Sequence, residues 1–406
     1  MTFSISPDTA PLTTAHAAET ERERIERLLI GEFAAIKPLE ASDGDRFLPY
    51  KCGGFMPSVL GFMLYCNGYS LRGTSRQCPN GLFYEDGETL FGIGIFRKTL
   101  ESPIWHVMVS GPWGTNGLAK VDAFIRRIRA LGITDEVFVR HLTGEQQQTF
   151  LQHGYQPVDE SPWCADAPSE DETHNHKRIL LSDIIGGGEG PQLEIKTLPG
   201  EDSRGHRTKA RMVFNRFTNF LERNGLTFVI RDYTLADQEV GEQLVRHHFA
   251  ILKNPVGSTP EDYMSLVRCD PAQAGDQQFG KIGFLERAGI SIPSLLFLGE
   301  KTDATTVALY ATFANRDQET LDSRIDPVGF SGISQYAYLV LFQMLRDQGI
   351  LSVDVGGSET EDLNKFKRQL GASEVPSYWV IAQPQLHAAA LAEPATLVAA
   401  GDRHRS

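Results

Sequence analysis

Along the chain the spacing of apolar positions switches repeatedly between helical and strand periods, and each switch marks an element. In "AETERERIERLLIGEFAAI" apolar residues fall at Ile25, Leu28, Leu29 and Phe33 with charge between them, which predicts an amphipathic helix. "GLFYEDGETLFGIGIFRK" reads as two strands joined at Asp86-Gly87, a strong hairpin signal. "IWHVMVSG" predicts a further strand, ending in the glycine-rich "GPWGTNG". A helix follows in "LAKVDAFIRRIRALG", with Leu118, Val121, Phe124, Ile125 and Ile128 on one face and Gly132 as its stop. Strand "DEVFVRHL", the Thr-capped helix "TGEQQQTFLQHG" and short strand "YQPV" complete a run that closes near residue 185.

"IIGGGEGPQ" then reads as a hinge. Beyond it come helix "HRTKARMVFNRFTNFLERNG", strand "LTFVIRDY", helix "LADQEVGEQLVRHHFAIL" and helix "EDYMSLVRC". Two or three strands with turns at Ala288-Gly289 and Thr302-Asp303 precede helix "SGISQYAYLVLFQMLRDQG", strand "ILSVDVGG", helix "EDLNKFKRQLG" and final strand "SYWVIAQ". Each half runs strands, helix, strand, helix, strand, so a duplicated unit is the economical explanation. The expected class is α/β (α+β), with layered domains at 19–185 and 193–384. A Gly-rich linker occupies 186–192, and a disordered N-terminus (1–18) and an alanine-rich tail (385–406) flank them.

Charge narrows the partners. A formal net charge of −13 argues against generic binding to DNA or anionic membranes, while leaving room for a local basic groove. No run of 18 apolar residues occurs, so no membrane insertion is expected. The N-terminus lacks the basic-then-apolar order of a secretory signal, and a cytoplasmic location is expected. Five scattered cysteines without a C-x-x-C pair suit reduced thiols. Cys164, His174 and His176 lack a second convincing pair of ligands, and their segment "DAPSEDETHNH" reads as a solvated loop, so no metal is expected.

Two stretches stand out against the acidic background. From Ser203 to Arg223 there are six cations (Arg204, Arg207, Lys209, Arg211, Arg216 and Arg223) against Glu222 alone. Arg204, Arg207 and Arg211 form one stripe, opposite the apolar Val213, Phe217, Phe220 and Leu221. Like charges at helical neighbours repel by a few tenths of a kcal/mol unless an anion lies nearby. The second stretch, "VDVGGSETEDLNKFKRQLGA", begins as a strand, turns at Gly356-Gly357 and becomes a helix. That helix carries Lys365, Lys367 and Arg368 around an apolar side of Leu363, Phe366 and Leu370.

This closing stretch resembles the end motif of Fem-type aminoacyltransferases and related proteins, in which a Gly-Gly or Gly-Ser turn leads into a Lys/Arg-Phe-Lys helix. The tandem layout and the basic helix near 206–225 are similar to the cytosolic domain of lysyl- and alanyl-phosphatidylglycerol synthases. The resemblance implies two tandem GNAT-like (acyl-CoA N-acyltransferase-like) domains, the second carrying most of the site. It implies an aminoacyl group taken from aminoacyl-tRNA as co-substrate, with no further cofactor, and passed to a small-molecule or peptide acceptor. Lys367 matches the helix lysine placed at the tRNA end, with Lys365 second. The helix here ends "RQLGA" where many relatives carry an aromatic before the glycine.

The expected catalytic residues are therefore Lys367 and Asp354, the latter on the strand before Gly-Gly, where capping the turn is its other role. Donor binding is expected from Arg204, Arg207, Arg211, Lys365 and Arg368, and substrate binding from Gly356, Gly357, Tyr310 and Tyr336. A CoA-thioester donor is the competitor within the fold. Its pyrophosphate would need a basic glycine-rich turn at a helix N-terminus. "SGPWGTNGLAK" and "DPVGFSGISQ" hold the right places and have glycines, yet the first is uncharged until Lys120 and the second has no Lys or Arg. A third reading is a non-catalytic ligand-binding module. His247 and His248 lie in a helix, and neither is assigned as a base.

Overall fold

The computed structural model describes residues 19–52, 56–66, 77–97, 102–134, 136–158, 176–185, 203–251, 259–270, 278–358 and 361–382. The expected linker 186–192, the N-terminus 1–18 and the tail 385–406 lie outside them. The first half holds helices α1 (Glu21–Glu32), α2 (Gly44–Phe47), α3 (Val59–Cys66), α4 (Gly117–Ala130) and α5 (Gly144–Gln152). Its strands are β1 (Ile36–Pro38), β2 (Leu82–Glu85), β3 (Thr89–Phe96), β4 (His106–Gly114), β5 (Val137–Leu142) and β6 (Gln156–Pro157). Strand β7 (His176–Leu180) and helix α6 (Leu181–Ile184) follow.

The second half contains helices α7 (Ser203–Asn224), α8 (Gln238–Ala250), α9 (Pro260–Arg268), α10 (Ile333–Asp347) and α11 (Glu361–Gln369). Its strands are β8 (Thr227–Asp232), β9 (Gln278–Arg287), β10 (Ile290–Lys301), β11 (Thr306–Ala314), β12 (Ser352–Asp354), β13 (Ser373–Val375) and β14 (Tyr378–Ala382). Local chemistry accounts for the elements the pattern predicted. Thr143 and Gln146 cap α5 reciprocally, and Asp86 accepts the N–H groups of Glu88 and Thr89 to close the hairpin turn.

Two seven-stranded sheets result, in the orders β1-β2-β3-β4-β5-β14-β6 and β8-β9-β10-β11-β12-β7-β13. The orders are equivalent position for position, and in each the sixth place is filled by a strand from the other half. β14 pairs with β5 and β6, and β7 pairs with β12 and β13, all antiparallel. The strands are therefore not partitioned at residue 185. Both exchanged strands are interior, hydrogen-bonded on two sides, and their central Ile179 and Val380 are fully buried. Periodicity reports a strand's pattern and not its partner, which is why the exchange leaves no trace in the sequence.

The structure also corrects smaller readings. His176 does not belong to a solvated loop; it opens β7 and is buried. Helix α3, "VLGFMLYC", is buried on every side and so lacks an amphipathic period. It sits in a core shared by the halves, where Phe62 and Met63 join Val267, Leu296 and Tyr310. Separate cores lie under α4 in the first half and between α7, α10 and the second sheet.

One geometric feature recurs. In each sheet a single neighbouring pair is parallel, β4 with β5 and β11 with β12. Pairing covers only Val107–Ser110 in the first case and Thr306–Ala308 in the second, then stops. Just beyond, the parallel-paired strand itself carries a bulge: Gly111 and Pro112 of β4 lie opposite Phe91 of β3, and Tyr310 of β11 is unmatched opposite Leu298-Gly299 of β10. Bulges at such places re-aim side chains beside a gap in the ladder.

Candidate functional site

The gap after Ala308 and Asp354 gathers chemistry that the sequence scatters. Backbone dictates its rim: Gly356 takes φ +67°, a conformation a Cβ resists, and its carbonyl accepts the N–H of Lys177 on the exchanged strand at 3.1 Å. Both carboxylate oxygens of Asp354 accept from Arg178, at 2.6 and 2.9 Å. Asp354 is thus buried as an anchor for a half-exposed guanidinium. The bidentate fork is the strong form of this pair, and it holds Arg178 more firmly protonated than usual.

Lys367 was expected on the solvated side of its helix. The structure turns it inward, 6% exposed, with Nζ donating to the Gly357 carbonyl and lying 3.5 Å from that of Gly356. The turn leaves carbonyls aimed at the helix, and an ammonium is the donor that satisfies them. Lys365 and Arg368 stay exposed on α11, and Arg368 pairs with Glu374 at 3.2 Å.

The exchanged strand supplies what sequence reasoning missed. Lys177 is wholly buried beside Glu374, 3.4 Å away. Burial pushes its ammonium below the ordinary lysine range, Glu374 draws it back, and Arg368 and Lys367 depress it further. Lys177 and Arg178 sit side by side in "HKRIL", and this doublet of cations opening an apolar run was the available signal. Lys177 from the exchanged strand thus meets Lys367 and Arg368 from α11 and Glu374 on one face of the sheet beside the Gly-Gly turn, while Arg178 pairs with Asp354 on the other face.

The other expected residues divide. Tyr310 is the unmatched residue of the β11 bulge, on the face shared by Ala308 and Asp354, and burial pushes its hydroxyl well above the usual range. Tyr336 is elsewhere: its ring packs against Phe214, Phe217 and Phe228 between α7, α10 and β8, and burial raises its hydroxyl too. Arg204, Arg207 and Arg211 ride on α7, and their side chains lie outside the described residues. Helix α7 packs against both α10 and α11, so the basic helix and the closing helix are neighbours.

The glycine turns are filled by protein. A Cβ on Gly332, at the start of α10, would lie 3.1 Å from Val213 and 3.3 Å from Phe217 of α7. Gly329 faces the Arg216 carbonyl in the same way, at 2.9 Å. In the first half a Cβ on Gly114 would strike the Glu88 carbonyl, and one on Gly117 would meet Pro112. Their glycines answer to the chain's own packing.

The first sheet's gap has a different lining. Arg140 is fully buried, its guanidinium 4.1 Å from the Tyr65 ring centroid and 5.1 Å from that of Trp379, with Nε donating to Ser110 at 3.3 Å. His141 has φ +60°, unusual for a residue with a Cβ. Its ring lies 5.0 Å from Tyr65 and 5.6 Å from His176. No group of three or more metal-ligating side chains occurs among the described residues.

Comparison with solved structures agrees with this architecture. A conserved protein of unknown function from Bacteroides thetaiotaomicron VPI-5482 matches 86% of this chain and 99% of its own, with TM-score 0.53 and 12% identity. FemX matches over 87% of this chain and 99% of its own, TM-score 0.52 and 8% identity. L-PGS from Bacillus licheniformis matches over 86% and 93%, TM-score 0.50 and 13% identity. No family model matches the sequence, and no curated protein is similar to it in sequence. At these identities the likeness is one of fold: two tandem GNAT-like units, each a mixed central sheet flanked by helices. No helix among the described residues is long and apolar enough to cross a membrane.

Proposed function

We propose that the protein is an acyltransferase that takes an aminoacyl group from aminoacyl-tRNA and passes it to an amine or hydroxyl of a small-molecule or peptide acceptor, forming an amide or ester. The observation that carries this reading is the cationic rim of the second gap, where Lys177, Lys367 and Arg368 gather beside the Gly356-Gly357 turn, with Arg178 across the strand from them on Asp354. Exposed Lys365 and Arg368 ride on α11, against which α7, with its one-signed charge, packs. Such a surface suits a polyanion, whose counterions are released when lysine and arginine neutralise its phosphates.

In this reading two expected catalytic residues act by positioning. Lys367 positions the turn rather than touching the donor, and Asp354 positions Arg178. An aminoacyl ester is already activated, so holding it in place accounts for much of the rate required. A CoA thioester is the weaker alternative, because the start of α10, where its pyrophosphate would rest, is covered by Val213 and Phe217.

The test is incubation with radioactively charged total tRNA and a small-metabolite extract, following RNase-sensitive appearance of a tRNA-free aminoacyl product. Transfer is expected from the unaltered protein. An Arg207→Glu/Arg211→Glu variant should lose it, and the salt dependence of its tRNA binding should flatten by a slope of about 1.5 to 2. Equal transfer in that variant, or transfer from acetyl-CoA that ignores RNase, would overturn the reading.

A further inference from the structure

One rung of the second sheet carries polar side chains from strand to strand. Gln278 of β9 pairs with Glu300 of β10, Glu300 with Ala308 of β11, Ala308 with Asp354 of β12, and Asp354 with Arg178 of β7. Residues directly opposite one another share a face, so these side chains form one row. The row passes the vertex of the second gap, which opens just beyond Ala308 and Asp354. Ala308 contributes only a methyl there, and Glu300 and Asp354 flank it on strands about 10 Å apart.

One end of the row is satisfied by protein and the other is not. Arg178 takes both oxygens of Asp354. At the far end the Lys51 ammonium, from the first half, donates to Oε1 of Glu300, and the Cys269 thiol donates to Oε1 of Gln278 at 3.1 Å. The thiol fixes the amide's orientation, because only the amide oxygen accepts. That leaves Oε2 of Glu300 and Nε2 of Gln278, neither with a hydrogen-bond partner among the described residues. Glu300 is 1% exposed and Gln278 8%. A buried polar group left unpaired costs about 1 to 3 kcal/mol, more when it is charged. Two such atoms on facing residues, one an acceptor and one a donor, mark a place for a group that both donates and accepts.

The carboxylate sets the donor. Burial lifts the Glu300 carboxyl above its ordinary range in spite of Lys51, so one cation undercompensates the carboxylate and a second is favoured beside it. An ammonium brings that charge, and its hydrogen bond to a carboxylate is roughly twice as strong as a neutral one. A carbonyl one carbon away from the nitrogen serves Gln278. The nitrogen then lies over Glu300, one strand from Ala308 and the vertex of the gap, and the carbonyl lies on the side away from the gap. Gln278 ends the row on that side, since β8 pairs with β9 only from Lys281 onward.

We propose that Glu300 and Gln278 form the acceptor site of the transfer reaction, and that the acceptor is a free amine with a neighbouring carbonyl, as in an amino acid amide or at the N-terminus of a peptide. This rests on the acyltransferase reading and deepens it by choosing an amine over a hydroxyl. Glu300 receives the N–H of the ammonium, and Gln278 donates to the carbonyl. Lys51 and Cys269 are positioning residues, each engaging one atom of its partner and leaving the other free. The ammonium gives one proton to Glu300, which passes it to solvent. The amine nitrogen bonds to the acyl carbon as the bond between that carbon and the donor oxygen breaks, and a second nitrogen proton ends on that oxygen. The products are an amide, the freed donor hydroxyl and one proton.

The probe is L-alaninamide. Its controls are L-lactamide, with a hydroxyl in place of the amine, and N-acetyl-L-alaninamide, with the amine blocked. Binding to the full chain is titrated by saturation-transfer NMR with no donor present. Alaninamide should bind with Kd of about 1 mM, within reach of so small a fragment, lactamide at least about tenfold more weakly, and the blocked amide not at all. Glu300→Gln and Gln278→Leu should each weaken alaninamide about tenfold. Should Glu300→Gln melt early because Lys51 loses its partner, Gln278→Leu at the end of the row carries the test. Absence of saturable binding, equal binding of lactamide, or binding unchanged in Gln278→Leu would overturn the proposal. With charged total tRNA as donor, Gln278→Leu should raise half-saturation by alaninamide about tenfold and keep the maximal rate within about threefold. A lower maximal rate at unchanged half-saturation would mean that Gln278 only packs. Because binding is read without a donor, the two readings fail separately. Transfer without alaninamide binding removes the acceptor site alone, and alaninamide binding without transfer from either charged tRNA or acetyl-CoA removes the acyltransferase reading.

Discussion

The two gaps between parallel strands are built alike and furnished differently. Each opens after a pairing of three or four residues, beside a bulge, in sheets with equivalent strand order. The first is closed around a buried guanidinium held between Tyr65 and Trp379, with His141 and His176 beside it. The second is rimmed by cations beside a glycine turn and backed by two polar pairs that reach into the first half, Tyr310 with Ser58 and Glu300 with Lys51. Equivalent topology therefore guarantees the opening and nothing about its contents, since a strand order constrains backbone partners and leaves side chains free.

The sharpest way to break the comparison is to remove an exchanged strand. Truncation after Pro376 deletes β14 from the interior of the first sheet while every strand of the second sheet remains. It should cost more than about 4 kcal/mol and abolish cooperative unfolding of the first unit, read by circular dichroism during thermal melting. A truncated chain that melts like the full one would show that the sheets do not depend on the exchange.

Next in size is a matched pair of substitutions. Arg140→Met should lower stability by about 2 to 4 kcal/mol through lost ring packing and a lost hydrogen bond, and leave transfer within roughly threefold. Lys367→Met should do the reverse, costing about 2 kcal/mol or less in denaturant melts while transfer falls about 100-fold as the turn loosens. If both behave alike, the division between a packed gap and a working one fails.

The smallest effect is a dependence on pH. Burial holds Lys177 below the range of an exposed lysine, so between its folded and unfolded values the unfolded chain binds more protons. Stability should accordingly rise with pH as the solution approaches lysine's unperturbed value of about 10.4. Lys177→Met should flatten that rise, as measured by denaturant midpoints across the alkaline range.

Several features of the site were legible in the chain. The Gly356-Gly357 turn and the cations of α11 stand next to one another in sequence, and Tyr310 is placed by the strand that carries it. Lys177 and Arg178 were overlooked because they lie more than 170 residues from Asp354, in a segment whose flanking acids and histidines suggest a loop. Lys367 was placed on the wrong side of its helix because lysine normally points to water. An ammonium can face inward when carbonyls await it, and only the folded turn provides them.

By itself the sequence determined the elements, their order and their duplication, since these follow from local periodicity, capping and turn chemistry read within about fifteen residues. Tertiary structure decided which strand completes which sheet, which way each charged side chain faces, and which helix covers the glycine turns. It alone brought Ser58 and Lys51 to Tyr310 and Glu300. Hydrogen-bond pairing between strands and the burial of polar groups depend on partners hundreds of residues away, which no local pattern specifies.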